Sequence, residues 1–135
     1  LVRIICDSCK EQFTPDDREL RKLGKNPEDY RDRTFYRGRG CNECGGTGYD
    51  GRTAIFELME MTPGIAELCT EKASASEIHD RAVEEGMMPL SEHGWRKVLE
   101  GITTVEEVVR VAPSETEIEI DKSELDIDEE LAQYL

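Results

Sequence analysis

Four of the chain's cysteines fall as two C-x2-C pairs, Cys6 with Cys9 and Cys41 with Cys44, and 31 residues separate the pairs. A two-residue gap lets both sulfurs of a pair turn toward a single ion, and two such pairs complete the tetrahedral four-thiolate shell of a structural zinc site. The spacing therefore predicts one Zn2+ per chain, held by Cys6, Cys9, Cys41 and Cys44. A closed shell leaves no coordination position for water or substrate, so the metal is expected to hold the fold, and no catalytic residue is assigned. Disulfides and an iron–sulfur cluster are the competing uses of the same residues. The opening LVRIICDSCK does not have the layout of a secretory signal, which argues against an oxidising compartment. No run of about 18 apolar residues is present to cross a bilayer, so membrane insertion is not expected. The fifth cysteine, Cys69, reads as an inert buried thiol.

A staple of this kind suits the composition. In 135 residues the hydrophobic fraction is only 37%, low for a self-sufficient core. Structural zinc contributes roughly 10–16 kcal/mol of apparent binding energy, comparable to the whole net stability of a domain. The formal net charge of −14 argues against nucleic acid as a partner, because phosphate recognition needs clustered Lys and Arg. The charge is uneven: after Pro113 nine acidic residues face Lys122 alone. Arg31, Arg33, Arg37, Arg39 and Arg52 gather around the second cysteine pair, where they are expected to offset thiolate charge and pair with neighbouring acids.

The pattern along the chain predicts an α+β fold. Residues 1–5 read as a short strand feeding the first knuckle. Thr14-Pro15 reads as the cap and first position of a short helix carrying Leu20 and Leu23 and ending at Gly24. Residues 26–30 form a turn or a single helical turn, and 34–37 a strand. The run 45–51 is too glycine-rich for a regular element and suits a ligand turn; no Lys-Ser or Lys-Thr follows it, so it is not a phosphate-binding loop. Arg52 to Met61 reads as a strand apolar on both faces, buried between layers. Four short helices follow, opened by Thr62-Pro63, by Ser74 or Ser76, by Ser91, and by Thr104 with Glu107 as a capping box. Their apolar stripes are Ile65 and Leu68; Ile78, Ala82 and Val83; Trp95, Val98, Leu99 and Ile102; and Val105, Val108, Val109 and Ala112. Trp95 reads as a core anchor, and His79 and His93 as polar-face residues. The division is thus a tetracysteine subdomain with short antiparallel strands (1–61), a helical subdomain (62–112) and an acidic tail (113–135), expected to be disordered or else to order on binding a basic partner surface.

The segments LVRIIC-x2-C, GRGCNECGGTGYDGRTAIFELMEM and GMMPLSEHGWRKVLEGITTVEEVVRV together resemble the C-terminal portion of the type II secretion and type IV pilus assembly ATPases. The likeness runs from residue 1 to about 112. It implies the same four zinc ligands in a module projecting from a cytoplasmic hexameric motor, peripheral to the bacterial inner membrane. The implied partners are the other subunits of the hexamer and the cytoplasmic part of an inner-membrane platform protein, to which the module helps transmit ATP-driven movement. The ATP and Mg2+ sites of that family precede the part resembled here. This chain contains no G-x4-G-K-[ST], and alone it is expected to be inactive as an ATPase. Two departures stand out: Ala54 replaces a common family glycine, and the acidic tail runs past the usual family end. A J-domain cochaperone zinc finger also carries C-x2-C-x-G-x-G, but only 41–48 fits that repeat. A free-standing zinc-ribbon interaction module is the third reading.

Overall fold

The structure, a computed structural model, describes residues 1–113. The acidic segment beyond Pro113 lies outside the described residues. Four strands and five α-helices follow one another as β1 (Val2–Ile5), β2 (Lys10–Phe13), α1 (Asp17–Lys22), β3 (Phe35–Gly38), β4 (Tyr49–Thr53), α2 (Pro63–Thr70), α3 (Ala75–Glu84), α4 (Leu90–Leu99) and α5 (Val105–Val111). The α+β class with short antiparallel strands is as expected. Among the described residues no helix is long and apolar enough to cross a membrane.

The strands form two antiparallel ribbons. β1 pairs with β4, placing Val2 opposite Thr53 and Ile5 opposite Tyr49. β2 pairs with β3, from Lys10 opposite Gly38 to Phe13 opposite Phe35. Residues 1–13 thus run alongside 35–53 in one interrupted hairpin, and both arms break at the same level. Four residues, 6–9, fill the break on one arm, and ten, 39–48, fill it on the other. Each break contains one C-x2-C pair. β2 has no signal in the sequence, because Lys10 and Glu11 obscure the alternation. It forms through its partner strand, where Glu11 accepts a charge-assisted hydrogen bond from Arg37 at 2.9 Å and the Arg37 guanidinium lies over the Phe13 ring.

The core gathers Val2, Leu20, Leu23, Phe35 and Ile55 from the first half and Trp95, Val98, Val105, Val108 and Ala112 from the second. Trp95 is buried as expected, edge-on to Tyr30 at 4.9 Å between ring centroids and tilted against Phe35 at 5.8 Å. Helices α4 and α5 approach so closely at Gly94 that a Cβ there would lie 2.6 Å from Val108 Cγ1. Glycine at 94 sets that spacing.

Several boundaries differ from the sequence reading, each for a local reason. Helix α1 is capped by Asp16, not Thr14: its carboxylate accepts from Arg18 N, and Glu19 accepts in turn from Asp16 N. A carboxylate with Glu three residues on forms a full capping box, which a threonine two residues earlier does not match. Helix α2 opens on Thr62 and Pro63 as expected, and α3 on Ser74. Val83 of α3 is exposed where burial was expected. Helix α4 begins at Leu90, a residue before the expected cap Ser91. Its first amide is capped from outside the helix, by Glu57 Oε2 at 2.9 Å. Cys69 is exposed, correcting the expectation of a buried thiol: α2 packs chiefly on α3 and buries only Ile65 fully.

The largest correction concerns 52–61. Strand β4 starts earlier, at Tyr49 inside the glycine run, and ends at Thr53. Residues 54–62 form no regular element. Only Ile55 of this segment is buried, while Phe56, Leu58, Met59 and Met61 are 62%, 81%, 41% and 65% exposed. Among the described residues no strand lies beside it, so the layers that would bury its two faces are not supplied.

Candidate metal centre

Cys6 and Cys9 flank the tight turn between β1 and β2; Cys41 and Cys44 sit in the longer break between β3 and β4. Pairing of the two arms brings the breaks face to face. All four sulfurs lie within 4.8 Å of one another, and none is in a disulfide. Cys6 Sγ is 3.9 Å from Cys41 Sγ, Cys9 Sγ 3.9 Å from Cys44 Sγ, and Cys41 Sγ 3.7 Å from Cys44 Sγ. A tetrahedron with metal–sulfur bonds of about 2.3 Å has edges of about 3.8 Å. Three of the six edges thus match that tetrahedron, and the donor set fits one four-coordinate ion. The structure brings together all four residues singled out from the sequence.

Backbone amides aim at the sulfurs. Cys41 N–H and Gly48 N–H each donate to Cys44 Sγ at 3.2 Å. The Cys41 amide, working against burial and joined by the Gly48 amide, holds the Cys44 thiol down at about 6. Burial pushes the Cys9 thiol up to about 12 despite a hydrogen bond from the Gly40 amide, and burial raises Cys6 as well. Cys44 is thus poised as a thiolate near neutral pH, whereas Cys6 and Cys9 would have to give up their protons to bind a metal.

The glycines serve this geometry by close approach. A Cβ on Gly38 would stand 1.9 Å from Gly48 O, and a Cβ on Gly48, where φ is +78°, would stand 2.3 Å from Gly38 O. Gly48 O in turn accepts from Cys6 N at 3.0 Å, tying the two arms just at the ligands. Gly38→Ala is expected to force the arms apart, lowering metal affinity at least tenfold and destabilising the fold by about 1–3 kcal/mol. Competition with a chromogenic chelator and urea denaturation measure both.

The expected arginine role is met in part. Arg31 pairs with Glu28 and Arg37 with Glu11, whereas Arg33, Arg39 and Arg52 form no ion pair among the described residues.

A second constellation was not legible as such. Glu107, fully buried, accepts from Arg3 N at 3.0 Å and Arg3 Nε at 2.9 Å, and from Arg110 at 2.9 and 3.1 Å. Thr104 caps α5 by accepting from Glu107 N, but the Glu107 carboxylate does not return to the cap as the motif implies. Burial would raise this carboxyl; hydrogen bonds from Arg110 and Arg3 overcome it and hold the group at about 2. Around it, Thr103 Oγ1 donates to Arg3 O at 2.7 Å, Ile5 N donates to Ile102 O at 2.9 Å, and the Tyr49 and Thr104 hydroxyls are 2.9 Å apart. The segment 102–107 and the start of α5 are thereby fastened to β1, the strand that leads into Cys6. His93 stands apart from the sulfurs and holds the segment after β4, its Nδ1 accepting from Phe56 N at 2.9 Å. His79 lies beside Asp80 on α3.

A family model described as "Type II/IV secretion system protein" matches residues 1–110. Among curated relatives, the chain is 44% identical over 109 residues to the type IV pilus assembly ATPase PilB of Thermus thermophilus, covering 81% of this chain and 12% of that protein. It is 42% identical over 115 residues to type II secretion system protein E of Pseudomonas aeruginosa, covering 85% and 22%. It is 35% identical over 113 residues to the type IV pilus assembly ATPase TfpB of Acinetobacter baylyi, covering 84% and 19%. The chain thus spans between 12% and 22% of the length of these relatives.

Proposed function

The chain belongs to the type II/IV secretion system protein family, and from that premise we propose that it is the zinc-stapled module of a secretion or pilus assembly ATPase, helping to couple ATP hydrolysis to movement of an inner-membrane platform. The observation that carries this reading is the tetrahedral spacing of Cys6, Cys9, Cys41 and Cys44 within the region matched by the family. Zinc is the metal this shell suits, since four thiolates at this spacing satisfy it with no open position. The ion's chemistry is to neutralise and cross-link the thiolates, and the work at this site is positional.

The residues around it supply a path for that work. Displacement of either knuckle acts on β1 or β4 directly, and β1 passes it to α5 through Arg3 and Glu107. On this reading residues 1–61 are the metal-bearing part and 62–112 the helical part that moves with it. ATP and Mg2+ are assigned on this reading to the part of the parent protein outside this chain, the matched pilus proteins being named assembly ATPases, and the hexamer's other subunits and the platform are the partners. The place of action is the cytoplasmic side of the inner membrane, without insertion.

The test is a chimera carrying residues 1–110 in place of the aligned segment of the Pseudomonas aeruginosa protein. It is expected to hydrolyse ATP and support secretion, while the same chimera with Cys9→Ser keeps more than about half of its hydrolysis and loses secretion. Loss of hydrolysis and secretion in the same proportion contradicts a coupling role. This chain alone is expected to turn over no ATP.

A further inference from the structure

We propose that Cys41 is an oxidation site for small hydroperoxides and that Cys44 resolves the product as a Cys41–Cys44 disulfide, expelling the ion and opening the metal centre reversibly. The inference rests on the zinc reading above and gives the two knuckles different work. Cys6 and Cys9 are 3% and 4% exposed, whereas Cys41 and Cys44 are only half-buried. An open hollow of about 480 Å³ lies against the second knuckle, walled by Arg39, Cys41, Asn42 and Gly46. Of the four ligands, Cys41 alone lines it. Oxidation of thiolates follows their accessibility, so a solute entering the hollow meets Cys41 first. Arg39, which forms no ion pair among the described residues, adds a cation to the wall from which an oxyanion departs.

Cys44 is placed to resolve. Its sulfur stands 3.7 Å from Cys41 Sγ, and the Cys41 and Gly48 amides each donate to it at 3.2 Å. A disulfide brings its sulfurs to about 2.05 Å, so the second arm must give by roughly 1.7 Å. It has room to do so: Gly45 and Gly46 follow Cys44 at φ +61° and +81°, with nothing within 4 Å of where a Cβ would stand. The first arm is tied on every side. Ile5 N donates to Ile102 O at 2.9 Å, Cys6 N to Gly48 O at 3.0 Å, and Cys9 N to Cys6 O at 3.3 Å. The cross-arm pairs Cys6–Cys41 and Cys9–Cys44 are each 3.9 Å apart, and each includes a buried sulfur.

The chemistry balances with the hydroperoxide ROOH as sole oxidant. Its terminal oxygen passes to Cys41 Sγ as the O–O bond breaks, and RO− takes a proton from solvent to leave as ROH. Cys44 Sγ then attacks the sulfenic sulfur; the S–S bond forms, the S–O bond breaks, and the departing hydroxide is protonated to water. The two thiolates lose two electrons and the peroxide gains them. Two remaining thiolates cannot complete a four-coordinate shell, so the ion leaves. A thiol reductant and zinc rebuild the site.

The full chain, holding its zinc, is treated with hydrogen peroxide; released ion is read with a chromogenic chelator, and disulfides are mapped by alkylation and peptide mass spectrometry. Cys69→Ser is run in parallel, which keeps disulfides through that exposed thiol out of the map. The expected result is about one ion released per Cys41–Cys44 disulfide, with Cys6 and Cys9 recovered as alkylated thiols and zinc binding restored by dithiothreitol and zinc. With dimedone present, the trapped sulfenic acid is expected on Cys41. A disulfide that includes Cys6 or Cys9, a dimedone adduct on Cys44 in place of Cys41, or an ion still held once Cys69 of the parent is fully oxidised overturns the proposal. Zinc content before peroxide separates the two readings. Much less than one ion per chain sinks the zinc assignment and this inference with it, whereas a full site with the wrong sulfurs oxidised sinks this inference alone.

Discussion

Cys9→Ser is expected to release the metal and unfold the two ribbons, residues 1–53, while Cys69→Ser leaves stability within about 0.5 kcal/mol of the parent. Cys9 is 4% exposed and sits 3.9 Å from Cys44, so its loss removes one corner of the shell and leaves the others without an ion to share. Structural zinc is worth roughly 10–16 kcal/mol of apparent binding energy and a domain's net stability is about 5–15 kcal/mol, so the ribbons do not survive the loss. The effect spreads to the helices because Val2 and Phe35 share a core with Trp95, whose fluorescence is expected to shift to the red. A Cys9→Ser chain that kept native fluorescence and a cooperative transition within about 1 kcal/mol of the parent would show that the thiolates are not the staple.

The second large effect concerns Glu107. Glu107→Gln keeps the shape but removes the charge that receives Arg3 and Arg110, and Glu107→Ala also leaves a cavity. The shift from an ordinary glutamate near 4.3 to about 2 corresponds to about 3 kcal/mol; because Arg3 and Arg110 are substantially exposed, screening reduces the expected loss in Glu107→Gln to about 1–2 kcal/mol. For a small domain that is a fall in Tm of about 10 °C. A folded-state value below the unfolded one means that the stabilisation is present in full above pH about 4.5 and fades as pH falls toward 2. Urea denaturation at stepped pH should therefore give a gap between parent and variant that is constant from pH 8 to 5 and narrows below. A gap that closed between pH 8 and 6 would point to another group.

What could be read from the sequence were features carried by local chemistry. The two C-x2-C pairs specify their own geometry, and Thr62-Pro63, the choice of Ser74 or Ser76, and the Trp95 stripe each carry their signal within a few residues. Where competing local signals met, at Thr14 against Asp16 and Ser91 against Pro89, the boundary moved by one or two residues. What could not be read depended on partners distant in sequence. β2 exists because β3 lies beside it. Glu107 looks like half of a capping box, but Arg3, 104 residues earlier, captures its carboxylate. The pattern of 52–61 is that of a buried strand, but only Arg52 and Thr53 fall in β4, and beyond them no neighbouring strand is present among the described residues. The glycines at 38 and 48 are legible as turn residues, though not as facing each other across the hairpin.

The most direct test of the central claim is elemental analysis of the folded chain, purified under reducing conditions, combined with a count of reactive thiols. One zinc per chain, four thiols shielded until a strong chelator is added and Cys69 reactive throughout is the predicted result. A folded, cooperative chain with much less than one zinc, or one holding iron and sulfide or two disulfides instead, would contradict it.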